Sequence, residues 1–100
     1  MAEVTIVYWR DIPAQIIVKK GRKAERRELP ERFIQAIDRS AMKAGLADSD
    51  GYLAEWRKGH PTLCGDDLVA EADKATAEIE KRYDLQKLKI LIEQNGWEAP

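Results

Sequence analysis

The chain's pattern predicts an α+β domain of two layers: a three-stranded, mainly antiparallel sheet with helices on one face, in the order ββαβαα. Three observations carry that prediction. Two β-branched, aromatic-containing runs, Val4-Thr-Ile-Val-Tyr-Trp9 and Ala14-Gln-Ile-Ile-Val18, stand close together near the N-terminus. Apolar positions later in the chain recur at helical spacing. The composition, 44% hydrophobic and 35% charged, suits a soluble globular protein with one core. One hundred residues correspond to one domain, spanning 1–100. A chain of this size buries roughly two-thirds of the surface it would expose unfolded.

The first strand alternates Val4, Ile6 and Tyr8 against Thr5, Val7 and Trp9, so both faces carry apolar groups. Pro13 cannot donate to a ladder and belongs at the turn, which makes Arg10-Asp-Ile-Pro13 a hairpin loop. The second strand runs to Gly21. Arg22 to Leu29 reads as a polar connection, and Pro30 suits the first turn of a helix over residues 30–44, with Phe33, Ile34, Ile37 and Ala41 on one side and Gly45 as its stop. Asp48-Ser-Asp-Gly51 reads as a loop. It fails as a calcium loop because the carboxylate spacing is incomplete and position twelve would be Gly59. Tyr52 to Arg57 alternates like a third strand.

Asp66 and Asp67 place negative charge where a helix begins, and Leu68, Ala72, Ala75, Ile79 and Tyr83 trace its stripe. Asp84 can cap a last helix closed by Asn95-Gly96. No Gly or Pro separates these two helices, so one long helix is also compatible. Residues 87–92 alternate as a strand would, but the Asp cap and the Asn-Gly ending favour helix.

Charge is unevenly placed. Residues 1–30 hold seven basic and four acidic side chains, whereas residues 61–100 hold five and nine, for a whole-chain net of −1. Either the two ends attract each other in the fold or the molecule carries a functional dipole. Six of the nine residues from Lys19 to Arg27 are basic. Lys19, Lys20, Arg22, Lys23, Arg26 and Arg27 therefore form a candidate anion-facing strip, or else a solvated stretch that blunts a sheet edge. Trp9-Arg10 and Trp56-Arg57 are aromatic–basic pairs at strand ends. They make a second candidate surface if the first and third strands are neighbours, and core tryptophans if they are not exposed.

His60 and Cys64, followed by Asp66 and Asp67, are the cluster closest to metal or nucleophile chemistry. Zinc sites normally use two spaced ligand pairs, and a second pair is absent from the sequence. A cysteine nucleophile needs an oriented base, which a Pro-bounded histidine does not guarantee. No phosphate loop, serine elbow or carboxylate pair is present. No catalytic residue, metal ligand or cofactor is assigned, and the reading favours a non-catalytic role. One cysteine excludes an internal disulfide; with no signal-like or membrane-spanning stretch, a cytoplasmic setting is expected.

The run from Val4 to Gln15, then Phe33 and Ala36-Ile-Asp38, then Tyr52-Leu-x-x-Trp56, and the ending Asp84-Leu-x-x-Leu with Asn95-Gly-Trp97, resembles a small bacterial domain family called virulence factor. The resemblance spans almost the whole chain. It implies a cytoplasmic bacterial protein of unassigned activity, related to a domain that accompanies HEAT-type repeats in larger proteins. It also implies an accessory place beside folate- and corrinoid-linked methyl transfer in one-carbon metabolism. It carries no catalytic motif, so no residue role follows from it. The expectation is an accessory or protein-interaction domain, with a protein as partner and nucleic acid, through the basic strip, as an alternative.

Overall fold

Strand β1 (Ala2–Trp9) reverses into β2 (Ile12–Lys20) through two residues, Arg10 and Asp11, in the computed structural model, which describes residues 1–47 and 49–98. The turn is shorter than the four-residue loop expected because Pro13 lies inside β2, opposite Tyr8. The register shifts there by one residue, so the proline's missing N–H falls at a β-bulge and costs no regular ladder bond.

β2 turns through Gly21 and Arg22 into β3 (Lys23–Glu28), with Lys20 paired to Lys23. Gly21 has φ +59°, the conformation that favours glycine at the first central position of a two-residue hairpin. The basic connection is thus a strand, a correction to the expected loop. It escaped the periodicity test because its inward-pointing side chains are charged. Glu25 and Arg27 face the helical layer and are half-buried, while Lys23, Ala24, Arg26 and Glu28 are exposed.

Helix α1 (Glu31–Lys43) follows Pro30 as expected, burying Phe33, Ala36, Ile37, Ser40 and Ala41. It ends in a Schellman motif: Gly45, at φ +74°, donates to Met42 O at 3.1 Å and Leu46 donates to Ala41 O at 2.8 Å. Asp48, the start of the expected loop, lies outside the described residues. The strand expected over Tyr52–Arg57 is instead a short helix, α2 (Asp50–Ala54), followed by β4 (Trp56–Lys58). Ser49 caps α2 by accepting from the Tyr52 N–H. Six alternating residues did not distinguish strand from one helical turn; Tyr52 on α2 and Trp56 on β4 still meet, with their rings edge-on at 6.1 Å.

Strand β5 (Thr62–Cys64) was not expected. It continues the edge begun by β4. β4 pairs with the upper end of β1 and β5 with its lower end, and between them Gly59 donates to Ile6 O at 2.8 Å. The sheet is therefore five-stranded and antiparallel, in the order β3-β2-β1 with β4 and β5 sharing the outer edge of β1. Helices α3 (Leu68–Arg82) and α4 (Leu85–Glu93) are separate. Asp67 caps the first and Asp84 the second, each accepting from the N–H three residues on. The strand alternative for residues 87–92 is overturned. The chain order is βββααββαα, not ββαβαα.

Helix α3 lies across β2 and β3, and α1 packs on α4 and β2. Ile16 and Val18 point into the layer beneath α3 and are fully buried. On the opposite side of the same strands, Thr5 pairs with Ile17 and Val7 with Gln15. Val7 and Ile17 are only half-buried and stand outside the core cluster. The sheet has one roofed face and one largely open face. Among the described residues no helix is long and apolar enough to cross a membrane.

Candidate functional site

Arg10 is where the most elements meet. It sits in the β1–β2 turn at φ +53°, an uncommon conformation for a residue with a side chain. Its surroundings over-determine it. The backbone N–H donates to Glu55 O at 3.1 Å, Nε donates to Glu55 Oε2 at 2.9 Å, and Nη1 donates to Asn95 O at 2.7 Å. The guanidinium carbon lies 5.1 Å from the Trp9 ring centroid and 4.9 Å from that of Trp97. Its side chain is only 13% exposed, so this cation is spent inside the fold.

Trp9 is completely buried, and its indole N–H donates to Tyr52 O at 2.9 Å. Of the two expected aromatic–basic pairs, Trp9-Arg10 is thus a structural knot. β1 and β4 are neighbours, with Trp9 directly opposite Trp56, so the two clusters do come together. Trp56 remains half-buried and borders a groove of about 450 Å³ on the open face with Val7, Gln15, Leu29 and Ile34. Arg57 turns the other way: it stacks 4.5 Å from the Tyr8 centroid and donates to Asp11 Oδ1 at 3.0 Å.

Strand alternation divides the basic strip. Lys20 and Arg27 lean toward α3, where Lys20 meets Asp66 at 3.3 Å and Arg27 meets Asp73 at 3.2 Å. The basic N-terminal part and the acidic C-terminal part therefore do attract each other. Lys20 holds the Asp66 carboxyl below its ordinary range by hydrogen bond and charge, and Glu25 raises Arg27 further through a hydrogen bond. Lys19, Arg22, Lys23 and Arg26 are exposed and take no ion-pair partner among the described residues. By register Lys19 and Arg26 belong to the open face, beside Ile17.

His60 and Cys64 are separated along the edge strand. The chain beside His60 bonds to Ile6, while Cys64 pairs with Ala2 at the far end of β1. Desolvation, then Glu71 and Asp66, push the Cys64 thiol up, which leaves little thiolate at neutral pH. No group of three metal-ligating side chains occurs among the described residues.

Two features had no sequence signal. Tyr8, His60, Arg82, Tyr83 and Lys87 share a polar cleft. Asn95-Gly96-Trp97, expected only as a helix stop, closes over the Arg10 turn, with Gly96 O accepting from Asp11 N at 2.9 Å. Neither grouping has a fixed spacing, because their members come from opposite ends of the chain.

The family model described as Virulence factor matches residues 7–92, from the middle of β1 to the end of α4. The chain belongs to this family. The matched span contains both Trp9-Arg10 and Trp56-Arg57, together with the whole β2–β3 arm. The virulence factor description names neither a reaction nor a ligand. No curated protein and no solved structure matches the chain.

Proposed function

We propose that this virulence factor domain is a non-catalytic accessory module that docks a partner protein on the open sheet face and the β2–β3 arm. The observation that carries this reading is the unneutralised pair Lys19 and Arg26 on a face whose Val7, Ile17 and Trp56 are only half-buried, with Arg22 and Lys23 exposed at the adjoining hairpin end. Charge of one sign around an apolar centre suits a partner whose contact surface is acidic and carries an apolar anchor. Ile34, 42% exposed at the end of the Trp56 groove, extends the apolar centre. Trp9, directly opposite Trp56, is fully buried and does not touch the partner. A cytoplasmic setting and a single domain over residues 1–100 complete the proposal.

The test is differential capture at low and high salt, using wild type, Lys19→Glu/Arg26→Glu and Trp56→Ala, with folding checked by circular dichroism. The expected result is a partner held by wild type, released by salt and lost in both variants. Identical capture by all three folded proteins would overturn the docking surface. A nucleic acid retained with steep salt dependence would replace the protein partner by a phosphate backbone.

A further inference from the structure

The cleft between the β1–β4 edge of the sheet and the α3–α4 junction measures about 710 Å³. Small-molecule sites span roughly 300–1,000 Å³, so it has the right size. Its walls are polar. The sheet edge contributes Tyr8, Arg57 and His60, and the helical junction contributes Arg82, Tyr83 and Lys87.

The acidic groups at the cleft are already engaged. Asp11 accepts from Arg57 through Oδ1 and from the Glu98 N–H through Oδ2, while Glu98 pairs with Lys87. Arg82 and His60 take no hydrogen-bond or ion-pair partner among the described residues, and neither do the Tyr8 and Tyr83 hydroxyls. Desolvation, with the Tyr8 phenol adding to it, raises the Tyr83 hydroxyl above its ordinary value, so it remains a proton donor at neutral pH. What faces the open space is an excess of donors with few acceptors left.

The Tyr8 wall is also held in place. Arg57 stacks on its ring, and Gly59 lies so close that an added Cβ would stand 3.0 Å from Tyr8 Cε2 and 3.3 Å from Ile6 O. A group built from cations and hydroxyls on two separate walls suits a ligand that accepts hydrogen bonds in several directions at once. A tetrahedral phosphoryl dianion does so, with three strong acceptor oxygens.

We propose that this cleft binds a phosphorylated small molecule, with His60 and Arg82 reaching the phosphoryl oxygens from the sheet and helical walls and the Tyr8 and Tyr83 hydroxyls donating between them. Glu98 holds Lys87 at the cleft, as an internal carboxylate that an incoming phosphoryl group displaces. This goes beyond the docking proposal and uses different residues, on the other side of β1 and β4.

Calorimetric titration of the full chain with inorganic pyrophosphate tests it, with citrate as the carboxylate counterpart. Saturable pyrophosphate binding is expected, with citrate weaker. Arg82→Ala should weaken pyrophosphate by about tenfold, the loss expected for one charge-assisted contact. Tyr8→Phe/Tyr83→Phe keeps every charge and should also weaken it, whereas Glu98→Gln should tighten it. Lys19→Ala/Arg26→Ala removes two charges from the open face and should leave it unchanged. Absence of saturable binding overturns the proposal. So does citrate binding as tightly as pyrophosphate, or equal weakening by Lys19→Ala/Arg26→Ala and Arg82→Ala, which would reduce the effect to diffuse positive charge.

Discussion

The corner around Arg10 and the arm formed by the end of β2 and β3 are both rich in cations, yet they spend them in opposite ways. At the corner, one guanidinium lies between two indoles and satisfies the Glu55 carboxylate and the Asn95 carbonyl. On the arm, strand alternation puts Lys20 and Arg27 on the roofed side, where they meet Asp66 just before α3 and Asp73 on it, and puts Lys19 and Arg26 on the open side; these two, with Arg22 and Lys23 at the hairpin end, take no ion-pair partner among the described residues. The difference is one of partners and burial, not composition. A cation with its donors consumed inside the fold stabilises it, and one left beside an open face is free to select what binds there.

Substitutions can break this contrast, starting at the corner. Trp9→Ala should cost about 3–5 kcal/mol, the range for removing a large buried aromatic, and chemical denaturation would show it as a lowered midpoint. Near-wild-type stability would mean that the indole is not the corner's support. Gly96→Ala comes next: Gly96 has φ +92°, and a Cβ there would meet Trp9 Cζ3 at 2.9 Å. A loss of about 1–3 kcal/mol is expected from the strain, read in the same denaturation experiment. Arg10→Lys keeps the charge but loses the planar fork and its stacking. It should cost about 1–2 kcal/mol, and an unchanged melting midpoint would show that charge alone suffices.

The arm should respond differently. Lys19→Ala/Arg26→Ala should shift stability by no more than about 0.5 kcal/mol, as exposed surface changes do, while reducing partner capture. Loss of fold in this variant would collapse the contrast between the two regions. The smallest effect belongs to Lys20→Ala. Lys20, by hydrogen bond and charge, holds the Asp66 carboxyl below its ordinary range. A carboxyl depressed in the folded state adds stability above its unfolded value, and that contribution disappears as pH falls through the folded value. The variant should therefore lose stability relative to wild type only above the folded-state titration, with the two converging in stronger acid. The pair is exposed, so the gap measured by acid titration of the fluorescence should be slight.

The parts of the fold readable in the sequence were those with a one-dimensional signature. The alternation of β1 and β2, the stripe of α1, the Gly45 stop, the negative charge of Asp66 and Asp67 at the start of α3 and the Asp84 cap each depend on neighbours a few residues away. β3 was hidden because its inward residues, Glu25 and Arg27, pair with each other, with Arg27 also reaching Asp73 on another element, and carry no apolar period. β4 and β5 were hidden because each is three residues long and exists only by pairing with an end of β1. The candidate surface was legible in its ingredients, the basic strip and the paired tryptophans, but not in its orientation. Which lysines meet α3 and which tryptophan is sealed depend on register and on the two-residue turn. The Tyr8–Tyr83 cleft had no signature at all, since its walls are separated by most of the chain.

The bonds that secure the Arg10–Asp11 turn reach 45 residues ahead to Glu55, 85 to Asn95 and 87 to Glu98. The β1–β2 hairpin can thus form early but is not fully fastened until residues 95–98 are in place. Contacts of such long sequence separation slow folding, because loop closure must precede their reward. The turn therefore waits on residues 95–98 for its last fastenings, and a chain cut before Asn95 would hold the strained Arg10 bend through Glu55 and Arg57 alone.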